Sequence, residues 1–150
     1  MFSGKPVSVK MLPQEWRKRM IDVCGVGAFR RQKQRDVFIT HLHLDHLPLK
    51  EFVTGANIRF FTSSYYLTGL KELYGNSFEI CEYRDVVATE HTTMLGRKYV
   101  KVETFGFFFK EALVIPECNN PNDLIKEYAP RFTFIFVAHQ SHSHIVEFNN

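Results

Sequence analysis

Cysteine is scarce in this chain of 150 residues: Cys24, Cys81 and Cys118 are the only three, widely separated and without a Cys-x-x-Cys pair. An odd number of distant thiols argues against a disulfide framework and suits a reducing, cytoplasmic compartment. No histidine adjoins any of them in sequence, so they are expected to be small core residues and not nucleophiles. Long apolar runs are also missing. Residues 1–16 lack an apolar core of signal-peptide length, and no later run approaches membrane-spanning length, so no membrane partner is expected. One-sided charge is missing too: 19 Lys and Arg stand against 16 Asp and Glu. That balance does not demand a nucleic-acid partner, which must be argued locally. No repeat and no low-complexity linker interrupts the chain, and its length suits one domain over residues 1–150.

Against these absences stands one dense stretch, Phe38-Ile39-Thr40-His41-Leu42-His43-Leu44-Asp45-His46. Four metal-binding side chains, His41, His43, Asp45 and His46, fall within six positions directly behind an apolar run. A buried strand over residues 37–40, with its character carried on through the histidines, would point His41 and His43 to one side, where they can share a cation. Asp45 and His46 come where that strand should give way to a loop, and can reach a second cation close to the first. Three imidazoles and a carboxylate so close repel when protonated and desolvate poorly when buried. A divalent metal removes both problems. Leu42 and Leu44 alternate with the polar residues and can anchor the turn in the core. A solvated polar loop would explain a lone histidine better than it explains this spacing.

The remaining elements follow from pattern. Residues 7–11 read as a short strand and 16–23 as a second, ending in Gly25 and Gly27, which permit a tight turn. Arg30, Arg31, Lys33 and Arg35 then lie in the connection entering the metal strand. A solvated face is the ordinary meaning of such a run, and a phosphate-binding edge is its rival. Residues 48–53 suggest a short helix and 58–62 a strand. Ser63 or Ser64 can cap the next helix, whose Tyr66, Leu67, Leu70, Leu73 and Tyr74 recur at helical spacing until Gly75. Strands are expected over 78–83, 85–88, 99–104, 107–109 and 112–115, the last ended by Pro116. Asp123 can cap a helix over 124–128, and 132–138 reads as a central strand. Without a regular βαβ alternation, the fold class is α+β, a sheet-on-sheet core with helices outside.

The pattern Thr-His-x-His-x-Asp-His resembles the signature of the metallo-β-lactamase fold superfamily, and the resemblance extends over about residues 20–75. Met20-Ile21-Asp22-Val23-Cys24-Gly25 is similar to that family's strand ending in an Asp-x-Gly turn, with the first glycine one position late. Residues 58–62 and 63–74 are similar to its next strand and helix. The resemblance implies a metallo-β-lactamase-like β-sheet sandwich with outer helices, here a short form truncated at the C-terminus. It also implies a site for two zinc ions, with manganese or iron compatible. His91 is the candidate for a third histidine. The place of the bridging aspartate is taken by Glu117, one methylene longer, with Asp123 a weaker substitute. His139 or His142, with His144 as a further alternative, fits the late histidine. Asp45 would both ligate and orient a metal-activated water. The implied function is hydrolysis of phosphodiesters in nucleotides or nucleic acid, with Arg30, Arg31, Lys33 and Arg35 on the substrate phosphate. Carboxylic and thioester hydrolases share the signature.

Other classes stay open. The same fold can serve as a noncatalytic binding module. His91-Thr92-Thr93 and His139-Gln140-Ser141 match the paired His-x-Thr/Ser of metal-independent two-histidine phosphoesterases, a reading that leaves the denser signature unexplained. The Arg30 to Arg35 run with exposed aromatics could bind nucleic acid on its own.

Overall fold

The computed structural model describes residues 7–13, 21, 35–42, 58–75 and 78–137. The chain divides into two compact units, one of Pro13–Arg84 and one joining Met1–Leu12 to Asp85–Asn150. The described residues form two sheets and two α-helices and are mostly strand, a mixed α+β arrangement.

In the Pro13–Arg84 unit, β2 (Arg35–Ile39), β3 (Ile58–Thr62) and β4 (Glu79–Glu82) pair in that order, all parallel. Helix α1 (Ser64–Tyr74) makes the crossover from β3 to β4. The alternation in Ile-Arg-Phe-Phe-Thr sends Ile58, Phe60 and Thr62 to the buried face of β3 and Arg59 and Phe61 to the other. Phe60 stacks on Tyr74 of α1, with ring centroids 4.9 Å apart, and meets Phe78 edge-on at 5.6 Å. Val37, Ile39, Ile58, Phe60, Leu70 and Tyr74 make one core cluster. Burial of each aliphatic or phenyl side chain there is worth roughly 1.5–3 kcal/mol.

The opposite face of this sheet carries a charged row and an aromatic row in the same register. Asp36, Arg59 and Glu79 are aligned across the three strands, and Arg59 grips Asp36 through two bonds of 2.9 and 3.0 Å. Beside them Phe38 stacks on Phe61 at 5.1 Å, with Tyr83 edge-on to Phe38. The far side of β2 meets Ile21 in an isolated parallel bridge to Phe38, the one described residue of the strand expected over 16–23. Gly75 ends α1 at a φ of 63°, its N–H bonded to the carbonyl of Lys71. Leu70 and Tyr74 face inward as expected, but Leu73 is 48% exposed because its position turns away from the buried face.

The other unit holds a five-stranded sheet in the order β1 (Ser8–Met11), β8 (Phe134–Val137), β7 (Ala112–Ile115), β6 (Lys98–Phe108) and β5 (Val86–Leu95). β1, β8 and β7 run parallel, while β6 and β5 form a long antiparallel hairpin. Strand expectations at 85–88, 99–104 and 107–109 were too short. Thr89–Leu95 extends the first, and Gly106 lets the other two join, since a Cβ there would sit 2.6 Å from the carbonyl oxygen of Val114. The turn falls at Gly96, with φ 66°. Helix α2 (Pro121–Tyr128) begins earlier than expected, because Pro121 suits a first helical position and Asn120 occupies the cap; Asp123 lies inside the first turn. It crosses between parallel β7 and β8. Two βαβ crossovers thus appear where no regular alternation was legible. Val9, Val87, Leu113, Ile115, Leu124, Ile125, Ile135 and Val137 form a core cluster in this unit. No helix among the described residues is long and apolar enough to cross a membrane.

Candidate metal centre

Parallel strands deliver their carboxyl ends to one edge, and in the Pro13–Arg84 unit those ends are tied together. The hydroxyl of Thr62 donates to the carbonyl of Ile39 at 3.1 Å, and the N–H of Tyr83 donates to the carbonyl of Thr62 at 2.7 Å. His41 stands just past β2 at this edge and is fully buried. The Thr40 hydroxyl lies 2.8 Å from Nδ1 of His41. With Nδ1–H donating to that oxygen, the ring lone pair resides on Nε2, the orientation that a ligating imidazole needs.

The backbone after His41 is held as well. Leu42 packs against the core cluster, and a Cβ on Gly69 of α1 would stand only 2.7 Å from Leu42 Cδ1. Glycine inside α1 is therefore what lets Leu42 seat, as the alternation of leucines suggested. The strand itself does not continue through His41, contrary to expectation. β2 stops at Ile39, and Thr40 and His41 form a bend. The Thr62 side chain ties the end of β2 to β3, and the Thr40 hydroxyl meets the His41 ring. A buried imidazole held by a neighbouring hydroxyl and followed by an anchored leucine fits a metal ligand. His43, Asp45 and His46 lie outside the described residues, as do Arg30, Arg31, Lys33, His139, His142 and His144. Arg35 opens β2 opposite Ile58.

The other unit brings together two more of the expected residues. His91 is within β5, not in a loop, and its Nε2 is 3.8 Å from Oε1 of Glu117, both side chains largely buried. Asn119 creates this proximity. Its side-chain oxygen accepts from the N–H of Thr92 at 2.9 Å, its amide nitrogen donates to the Thr92 hydroxyl at 2.8 Å, and its backbone N–H donates to the carbonyl of Glu90. The segment after β7 thus caps the edge of β5. Nothing in the sequence marked Asn119 for this, since its neighbours signal only a turn. Among the described residues no group of three or more His, Cys, Asp or Glu is placed to hold a metal ion.

The described cysteines are half-buried, and Cys81 sits on a sheet face beside Glu79 and not in a core. Burial, then the neighbouring Glu79 carboxylate, pushes the Cys81 thiol up, and burial does the same to Cys118. Both stay protonated at neutral pH, which disfavours thiolate chemistry. No protein-family model matches this chain, and no curated protein matches it.

Proposed function

We propose that this chain is a metal-dependent hydrolase of phosphodiesters, in nucleotides or nucleic acid, built on a metallo-β-lactamase-like fold. The observation that carries the reading is His41: buried at the carboxyl edge of a parallel sheet, oriented by Thr40, and followed in sequence by His43, Asp45 and His46. Ligands bind outside the carboxyl ends of strands in open parallel sheets. Zinc, with manganese or iron as substitutes, would supply there a water of lowered pKa and polarisation of the phosphoryl oxygen. His41, His43 and His46 would hold the metal, and Asp45 would both ligate and align the attacking water. By accepting from Nδ1–H, the Thr40 hydroxyl would leave Nε2 of His41 for the metal. The raised thiols of Cys81 and Cys118 argue against a competing covalent route.

Hydrolysis of bis(p-nitrophenyl) phosphate by purified protein tests this. Activity should vanish with chelator, return with zinc or manganese, and be absent from His41→Ala. Chelator-resistant activity would instead favour the two-histidine reading, to which β5 lends one observation: His91 and Thr93 stand two apart on a strand and so share a face. Glu117→Gln decides whether His91 and Glu117 take part in holding an ion at all, since a true ligand takes an ion with it. Metal binding without turnover would identify the binding-module alternative.

A further inference from the structure

Ser63 joins β3 to α1 and is 2% exposed, yet its hydroxyl has no hydrogen-bond partner among the described residues. It occupies the N-cap of α1 in an extended conformation, φ −68° and ψ 161°, the position from which serine ordinarily accepts a bond from the first turn. No such bond is made, and the first turn carries no acidic residue. A buried, unpaired hydroxyl at the positive end of an 11-residue helix is a costly arrangement unless something else binds it. The site's position suggests what. Ile39 and Thr62 are paired, so one residue further on Thr40 and Ser63 stand at neighbouring strand ends, with His41 next. We infer that Ser63 and the head of α1 bind the phosphate group of the substrate, a tetrahedral oxyanion that takes the hydroxyl proton and the helix's amide donors together.

This deepens the hydrolase reading and rests on it for the identity of the phosphate as substrate. It gives phosphate recognition to a neutral cradle beside His41 and not to the Arg30 to Arg35 run. The cradle itself needs no metal.

The test is thermal denaturation and calorimetric titration of the full chain with inorganic phosphate, against acetate and chloride at equal ionic strength, chelator present throughout. Wild type should gain stability from phosphate beyond that from acetate or chloride. Ser63→Ala should melt higher than wild type in anion-poor buffer, because an unpaired buried hydroxyl is gone, and should bind phosphate at least about tenfold more weakly. Its zinc content should be unchanged. A lower melting point for Ser63→Ala without anion overturns the inference, since the hydroxyl is then partnered within the fold. Equal phosphate affinity in the two proteins also overturns it, as does a wild-type response no larger for phosphate than for chloride. Phosphate binding that survives in a wild type unable to hold zinc supports the cradle while removing the hydrolase reading. Zinc binding without phosphate binding does the reverse.

Discussion

The Pro13–Arg84 unit and the unit carrying the long hairpin use strands in different ways, and their polar residues differ accordingly. In the first, β2, β3 and β4 all run parallel, so His41, Ser63 and Tyr83 arrive together where the strands end. In the second, β5 and β6 run antiparallel over ten paired positions, and His91 is placed in mid-strand, reaching Glu117 only because Asn119 folds the next segment against the edge. Polar side chains are brought together by strand direction in one unit and by a side-chain clasp in the other. Strand ends converge for free once a sheet is parallel. A mid-strand residue needs a dedicated partner.

The largest effect expected comes from setting the two cores against each other. Phe60→Ala removes a buried ring stacked on Tyr74 and should cost about 3–5 kcal/mol. Gly106→Ala forces a Cβ onto the Val114 carbonyl and should cost about 2 kcal/mol. Denaturant melts give both values. Metal content should fall in the Phe60 variant, whose damage underlies the His41 edge, and hold in folded Gly106→Ala protein. Equal losses of metal would break the comparison.

Thr40→Val keeps the shape of a buried side chain but removes the oxygen facing His41. Zinc affinity should drop about ten- to a hundredfold by competition titration. An unchanged affinity would mean that the 2.8 Å contact does not orient the ring.

Next in size is a pH effect in the same unit. Burial pushes the Tyr74 phenol well above its ordinary value. The unfolded chain therefore gives up this proton from about pH 10 upward while the folded chain keeps it, so stability falls as pH rises past that point. The slope is at most about 1.4 kcal/mol per pH unit. Tyr74→Phe should flatten it and leave behaviour below pH 9 unchanged, as alkaline denaturant melts would reveal.

Much of this organisation was legible in the sequence. Period-two alternation located β3, helical spacing located α1, and the density of histidines singled out the residues that follow β2. Three features were not. The bend at Thr40 and His41 comes with side-chain bonds from Thr40 and Thr62, which no pattern of apolar residues encodes. The joining of two strands into β6 depends on Gly106, which in sequence is as good a sign of a break. The parallel pairing of β7 with β8 depends on partners far apart along the chain, and periodicity is silent about partners.

The smallest effect is expected at the Asp36–Arg59 ion pair, on the face of the β2, β3 and β4 sheet opposite Phe60. The Arg59 and Asp36 side chains are 38% and 40% exposed, so water and salt screen their attraction. Asp36→Asn should move the melting temperature by no more than about 2 °C, and raising salt should erase the difference. A larger shift would mean that side-chain pairing, and not the Phe60 core, holds the parallel strands in register.

Metal stoichiometry tests the central claim most directly. Purified protein, reconstituted with zinc and freed of loosely bound ions, should carry at least one tightly held ion per chain by elemental analysis. His41→Ala, folded by circular dichroism, should carry none at that site. A wild type that retains no zinc, or a His41→Ala variant that retains all of it, would contradict the assignment of this edge as a metal centre.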